Sequence, residues 1–137
     1  MDNETRESRT AMTHSSLSSL GTVDGGAATV MDSLRTAVGA EGTIVVPAFT
    51  RDVADPYPLS VGVPSNDVRS SRDAVPLWQQ ELSSNMGAIP EAVRALPGSI
   101  RSQPPQASVV AVGAQASFIT EEHRLGFATS PDSPFHA

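Results

Sequence analysis

The chain has 137 residues, a length at which a complete single domain buries about 65–70% of its extended surface. Nine arginines, no lysine and fifteen Asp and Glu give a net charge of −6, so the basic excess of a nucleic-acid or anionic-membrane binder is absent. There is no cysteine, which excludes disulfides, thiolate metal sites and cysteine nucleophiles.

Residues 1–9 are charged and aperiodic and read as a disordered amino terminus, with residues 10–137 as one unit. No apolar run approaches the ~18 residues that span a bilayer. The polar start lacks the apolar core of a signal peptide, so a cytoplasmic protein is expected. His14, His123 and His136 show no metal-ligand spacing, and no metal is expected. "RTAMT" holds only two apolar residues before His14, a poor strand, and a Ser-rich turn follows.

The clearest helix comes next. Asp24 or Gly25 can cap it, Ala27, Val30, Met31, Leu34 and Val38 recur on one face, and Gly39 stands where a helix stops. "TIVVPAF" then reads as a buried strand ended by Pro47. Turn, helix, turn and strand in that order are the grammar of an α/β domain. Thr50 to Pro76 contains Pro56, Pro58, Pro64 and Pro76 without periodicity and reads as a long loop, a feature that is usually functional or disordered. "PLWQQEL" suggests a short helix with Leu77, Trp78 and Leu82 inward. "AIPEAVRALPG" suggests another, with Pro90 at its first position and Gly98 as its stop. "ASVVAVGA" is a second apolar strand, and "QASFITEEH" a further short helix. "SPDSPFHA" reads as a turn.

Chemistry concentrates in "SSLSSLGTVDGG". Small hydroxyl residues and glycines leading into a helix amino terminus offer backbone N–H groups, a positive dipole end and room for close approach. All three suit a phosphate or pyrophosphate. The pattern matches neither a Walker P-loop nor G-x-G-x-x-G. On the residues alone, ordinary capping and a tight turn are the favoured explanation.

The string "HSSLSSLGTVDGGAATVMDSLRTAVGAEGTIVVPAFT" closely resembles the amino-terminal segment of the aminoglycoside 3-N-acetyltransferase family. There a strand ends in His-[Ser/Thr]-Ser, a loop runs to a Gly-Gly pair, and a helix precedes G-T-[L/I]-V-[V/M]-P. "DAVPLW", "NMGAIPEAVRALPGSIRS", "ASVVAVGA" and "DSPFHA" continue the resemblance in the same order over most of residues 14–137. It implies a three-layer α/β/α fold, unlike that of the GNAT acetyltransferases. It also implies acetyl transfer from acetyl-coenzyme A to an amine, typically of an aminoglycoside antibiotic, as in resistance or natural-product modification. On this resemblance His14, Ser15, Ser16, Ser18, Ser19, Gly25, Gly26 and Ser108 are nominated for the coenzyme A side. Asp52, Asp55, Tyr57 and Asn85 are nominated for the amine.

Each nomination has a plainer reading beside it. His14 either contacts ligand or orders the loop, and Asp52 and Asp55 either attract a cationic amine or are solvated loop carboxylates. Tyr57 and Trp78 either wall a sugar ring or pack in the core. Asn85 and Gly87 either approach ligand or serve a cap and turn. The family's R-S-x-H-P-x-x-S appears here as "RSQPPQAS", with Pro104 in place of the histidine, which puts a polar role for Ser102 and Ser108 in doubt. His123, beside Glu121 and Glu122, reads as a solvated helix face.

The family's base is associated with a histidine and acidic residues around Gly-x-x-x-x-Asn-[Thr/Ser]-x-x-His, a stretch this sequence does not contain. No catalytic residue is therefore carried over. The expectation is the amino-terminal part of one acetyltransferase domain, truncated, with apolar edges on both strong strands left unpaired. The alternatives are a noncatalytic fragment that binds coenzyme A or a partner chain, a homo-oligomer, or a gene remnant.

Overall fold

A computed structural model describes residues 9–50, 55–75, 81–104, 106–121, 123, 129, 131 and 133–135. The expected disorder of the first residues, Asp52 and Trp78 all fall outside these, apart from Arg9. Four strands, β1 (Thr10–Met12), β2 (Thr43–Pro47), β3 (Ile100–Arg101) and β4 (Val109–Gly113), form one sheet in the order β1-β2-β4-β3. Strand β1 runs parallel to β2, while β4 is antiparallel to both β2 and β3.

Helix α1 (Gly26–Val38) makes the crossover between the two parallel strands. Its apolar stripe of Ala27, Val30, Met31, Leu34 and Val38 packs on Ile44 and Val46 of β2 and Val110 of β4. Helix α3 (Ala88–Arg94) adds Ile89 and Val93 to the same layer. Alternate residues point the other way, as strand geometry requires. Val45, Val109 and Ala111 meet Ala116 and Ile119 of α4 (Ala116–Glu121) on the opposite face. Helices on both faces of one sheet make the expected three layers. Ile44, Val45, Val46, Ile89, Val93, Val109 and Val110 are each at most 1% exposed, and each such side chain contributes about 1.5–3 kcal/mol of burial.

The structure corrects three expectations. First, β2 and β4 do not present bare edges: they pair with each other over five residues and are flanked by β1 and β3. Second, the Pro-rich stretch contains a helix, α2 (Asn66–Asp73), whose Ser65 side chain accepts from Val68 N at 3.4 Å. It buries no residue, so no apolar period marks it. Third, Pro90 is the third residue of α3, with Gly87 as the cap. The ring is tolerated there because the first four helical N–H groups lack an intrahelical partner anyway.

Candidate functional site

After β1 the chain is tied to β2 once more, Thr13 N donating to Val45 O at 2.8 Å. It then runs through an exposed His14 into a single 3-10 turn, Leu17–Leu20. Ser16 precedes the turn in extended backbone and does not cap it; its Oγ lies 2.8 Å from Ser18 Oγ instead. Ser19 N donates to Ser16 O, closing the turn. Ser15 Oγ is buried and has no hydrogen-bond partner among the described residues. Buried hydroxyls are nearly always bonded, so this one stands out.

The entry to α1 is made by glycine. Gly25, the cap, has φ 81° and ψ −3°, and Gly26 has φ 62°. A Cβ on Gly25 would collide with Thr29 Oγ1, which is fixed by donating to Asp24 O at 2.7 Å. The left-handed backbone and the missing side chain are thus both needed. No side chain caps α1, and its first turn holds no acidic residue. The first-turn N–H groups beyond Gly26 and the positive end of the helix dipole are left to an outside acceptor. Ser15, Ser16, Ser18, Ser19, Gly25 and Gly26 therefore belong to one continuous loop and helix start.

Ser108 lies elsewhere. It is 1% exposed, accepts from Arg101 Nε at 3.2 Å and donates to Ala48 O at 2.7 Å. Arg101, 4% exposed, also donates to Leu82 O and to Ala48 O, each at 2.6 Å. The "RSQPPQAS" segment does have a polar role, and it is internal. Its guanidinium and hydroxyl hold the chain just beyond β2.

His123 corrects the sequence reading most clearly. It is 4% exposed, with Nδ1 2.7 Å from Ser102 Oγ. Ser102 Oγ also accepts from Val109 N at 2.9 Å, so one hydroxyl ties the His123 ring to the start of β4. The cause is the end of α4 at Glu121: beyond it the chain no longer follows a solvated helical face.

On the amine side, Asp55 and Tyr57 share a loop but not an exposure. Arg72 Nε donates to Asp55 Oδ1 and Nη2 to Oδ2, both at 3.0 Å, and Tyr57 N donates to Oδ1 at 2.9 Å. Arg72 Nη2 also reaches Tyr57 O and Ser60 O. The Arg72 guanidinium, and after it the Tyr57 N–H, hold the Asp55 carboxyl below its ordinary value. Asp55 organises its loop, while Tyr57 is 44% exposed. Asn85 is exposed, and its N–H donates to Phe49 O at 3.3 Å. The residues before it are clamped by Glu91, whose carboxylate accepts from Ser83 Oγ, Ser84 N and Arg94. Glu91 was legible as an acid suited to the positive end of a helix, and it does lie in the first turn of α3; its clamp on Ser83 and Ser84, and the parts of Arg101 and Arg72, escaped sequence reasoning because single charged residues carry no spacing signal.

Comparison with known proteins shows what the chain is similar to. A family model described as aminoglycoside 3-N-acetyltransferase matches residues 12–137. Aminoglycoside N(3)-acetyltransferase VIII of Streptomyces fradiae is 39% identical over 127 residues, covering 91% of this chain and 44% of that protein. AAC-IIIb, solved as a binary complex with CoASH, superposes with a TM-score of 0.74 at 30% identity, over 94% of this chain and 48% of that one. AAC-VIa bound to sisomicin gives a TM-score of 0.75 at 32% identity, over 93% and 47%. The chain spans a little under half the length of the curated relatives it matches.

Proposed function

The chain belongs to the aminoglycoside 3-N-acetyltransferase family, and from that premise we propose that it supplies the coenzyme A-holding portion of an enzyme that acetylates an amine of an aminoglycoside. The observation that carries this reading is the uncapped, glycine-opened start of α1 beneath the serine loop. Acetyl-coenzyme A, when bound, would supply a thioester: with one ammonium proton given up to a base, the amine nitrogen would form the C–N bond as the C–S bond breaks, and coenzyme A would depart as a thiolate that takes up a proton. That base is not assigned to any residue of this chain.

The residues present fit such a ligand. Ser15 Oγ in the loop is buried and has no hydrogen-bond partner among the described residues, and the space a Cβ would occupy at Gly26 is open among them. Backbone N–H groups at the start of α1 would receive the pyrophosphate, with hydroxyls from Ser15, Ser16, Ser18 and Ser19 and the His14 ring beside them. Such a cradle needs no lysine, and the chain has none. Tyr57 and Asn85, both exposed, would meet the amine, with Asp55 and Arg72 fixing the loop that presents Tyr57. Asp52 belongs to the same proposal. A cytoplasmic location, where acetyl-coenzyme A is at hand, accompanies it; no described helix is long and apolar enough to cross a membrane.

Calorimetric titration with coenzyme A tests the reading. A saturable heat is expected, weakened at least about tenfold by Gly26→Asp, which sets a carboxylate against an anion at the helix start. No heat at millimolar coenzyme A, or equal binding by the variant, would remove the proposal.

A further inference from the structure

The parallel strands β1 and β2 end on the same side of the sheet, and the antiparallel β4 begins there, with Pro47 opposite Val109. The serine loop after β1 and the segment Ala48 to Thr50 after β2 therefore leave from one end, the end at which open α/β sheets receive ligands. The turn of Ser83, Ser84 and Asn85 is fastened at this end too, since Asn85 N donates to Phe49 O. Both sides of that contact are held. Arg101 of β3 reaches each of them: Nη2 donates to Ala48 O, next to Phe49, and Nη1 to Leu82 O, both at 2.6 Å. Ala48 N also donates to Ser108 O at 2.7 Å. From the other direction Glu91 of α3 accepts from Ser83 Oγ at 2.9 Å and from Ser84 N at 2.8 Å. Arg94 orients that carboxylate, its Nη2 donating to Oε2 at 2.7 Å. Leu82, Ser83 and Ser84 are thus each bonded before Asn85 emerges. Arg101 and Ser84 are 4% and 5% exposed, while Asn85 stands in solvent. Surface turns are ordinarily held by their own backbone bonds. This one is held by two charged side chains from separate elements, although burial pulls the Arg101 guanidinium below its ordinary value.

We propose that Arg101 and Glu91 are positioning residues for Asn85: together they hold its carboxamide as a preformed contact for the ammonium and hydroxyl groups of the substrate. This rests on the reading that the site takes an amine. A carboxamide offers an acceptor oxygen and two donor hydrogens, so it meets either kind of group. Asp55, the charged alternative on this side, has both carboxylate oxygens engaged by Arg72, which leaves the neutral amide as the better partner. A side chain carried on a fixed turn loses less freedom on binding than one on a loose loop. The two clamps are not interchangeable with simpler residues. The planar guanidinium of Arg101 bonds carbonyls of two chain segments at once, which a lysine ammonium does less well. The charge of Glu91 strengthens its bonds to Ser83 and Ser84, and a glutamine of the same shape gives that up.

The test is a double-mutant cycle on the full 137-residue chain, with sisomicin, the ligand of the AAC-VIa structure, as the amine probe and coenzyme A as the reference ligand. Asn85→Ala, Glu91→Gln and Arg101→Lys should each weaken sisomicin binding at least about fivefold, with coenzyme A affinity held within about twofold. Glu91→Gln added to Asn85→Ala should cost nothing further, because the clamp acts through that side chain. A merely structural role predicts additive losses instead. Without ligand, the Asn85 amide of Glu91→Gln should exchange at least about tenfold faster than in the parent, and the Val110 amide should not change. Should Arg101→Lys fail to fold, the cycle between Glu91 and Asn85 decides alone. Additive losses, unchanged exchange at Asn85, or sisomicin binding untouched in the clamp variants would overturn the positioning role while amine binding stands. A parent chain that binds no sisomicin removes the amine reading itself and this proposal with it, and the coenzyme A titration then reports separately on the cofactor side.

Discussion

Glu91 shows how one carboxylate can hold two segments together. Burial alone would raise its carboxyl, but Arg94, the Ser84 N–H and the Ser83 hydroxyl outweigh that and hold it at about 2, against an ordinary 4.5. A depressed folded-state value means stability that is fully present above the unfolded value near 4.5 and lost as pH falls toward 2. Because the side chain is still 28% exposed, the contribution is about 1–2 kcal/mol. Glu91→Gln should lose that amount in urea melts at pH 7, and the difference from the parent should disappear by pH 2. A difference that persists at pH 2 would mean the clamp does not act through the charge. Arg101 plays a comparable part in holding segments together. Its three short bonds satisfy groups beyond β2 that a lysine's single ammonium could not all reach.

At the scale of elements, legibility followed apolar spacing. The stripe from Ala27 to Val38 and the run Thr43–Pro47 were readable because burial against two layers demands those patterns. Strand β3 was not, since two residues cannot show alternation, and α2 was not, since its only apolar residue is Val68. His123 was misread because its acidic neighbours suggested a solvent face that ends at Glu121. The candidate loop was legible as small residues before a helix. That Ser15 Oγ would be buried and Ser16 turned to Ser18 was not, because backbone torsions decide it. The Asp55–Ser60 loop depends on Arg72, which reaches across from α2. Arg72→Ala should make residues 55–60 markedly faster in amide exchange and proteolysis, with the melting temperature of the sheet unchanged. Protection that survives the change would assign the loop's order to another contact.

For the molecule as a whole, the sheet divides the work. Its α1 and α3 side carries the main core, and the carboxy end of β1 launches the serine loop into α1. The far side, with α4, has a smaller core and leaves a groove open beside β1. This is half of a family architecture by length, with the proposed cofactor cradle assembled from contiguous residues. Among the described residues, the hydrogen bonds that shape it lie between His14 and Thr29 or run to β2. The most direct test is therefore amide-resolved NMR of the full chain titrated with coenzyme A. The account predicts shifts concentrated at Ser15–Ser19, Gly21 and Gly25–Ala28, with residues 100–113 unmoved. Shifts centred on the β3–β4 segment, or none at saturating coenzyme A, would contradict it.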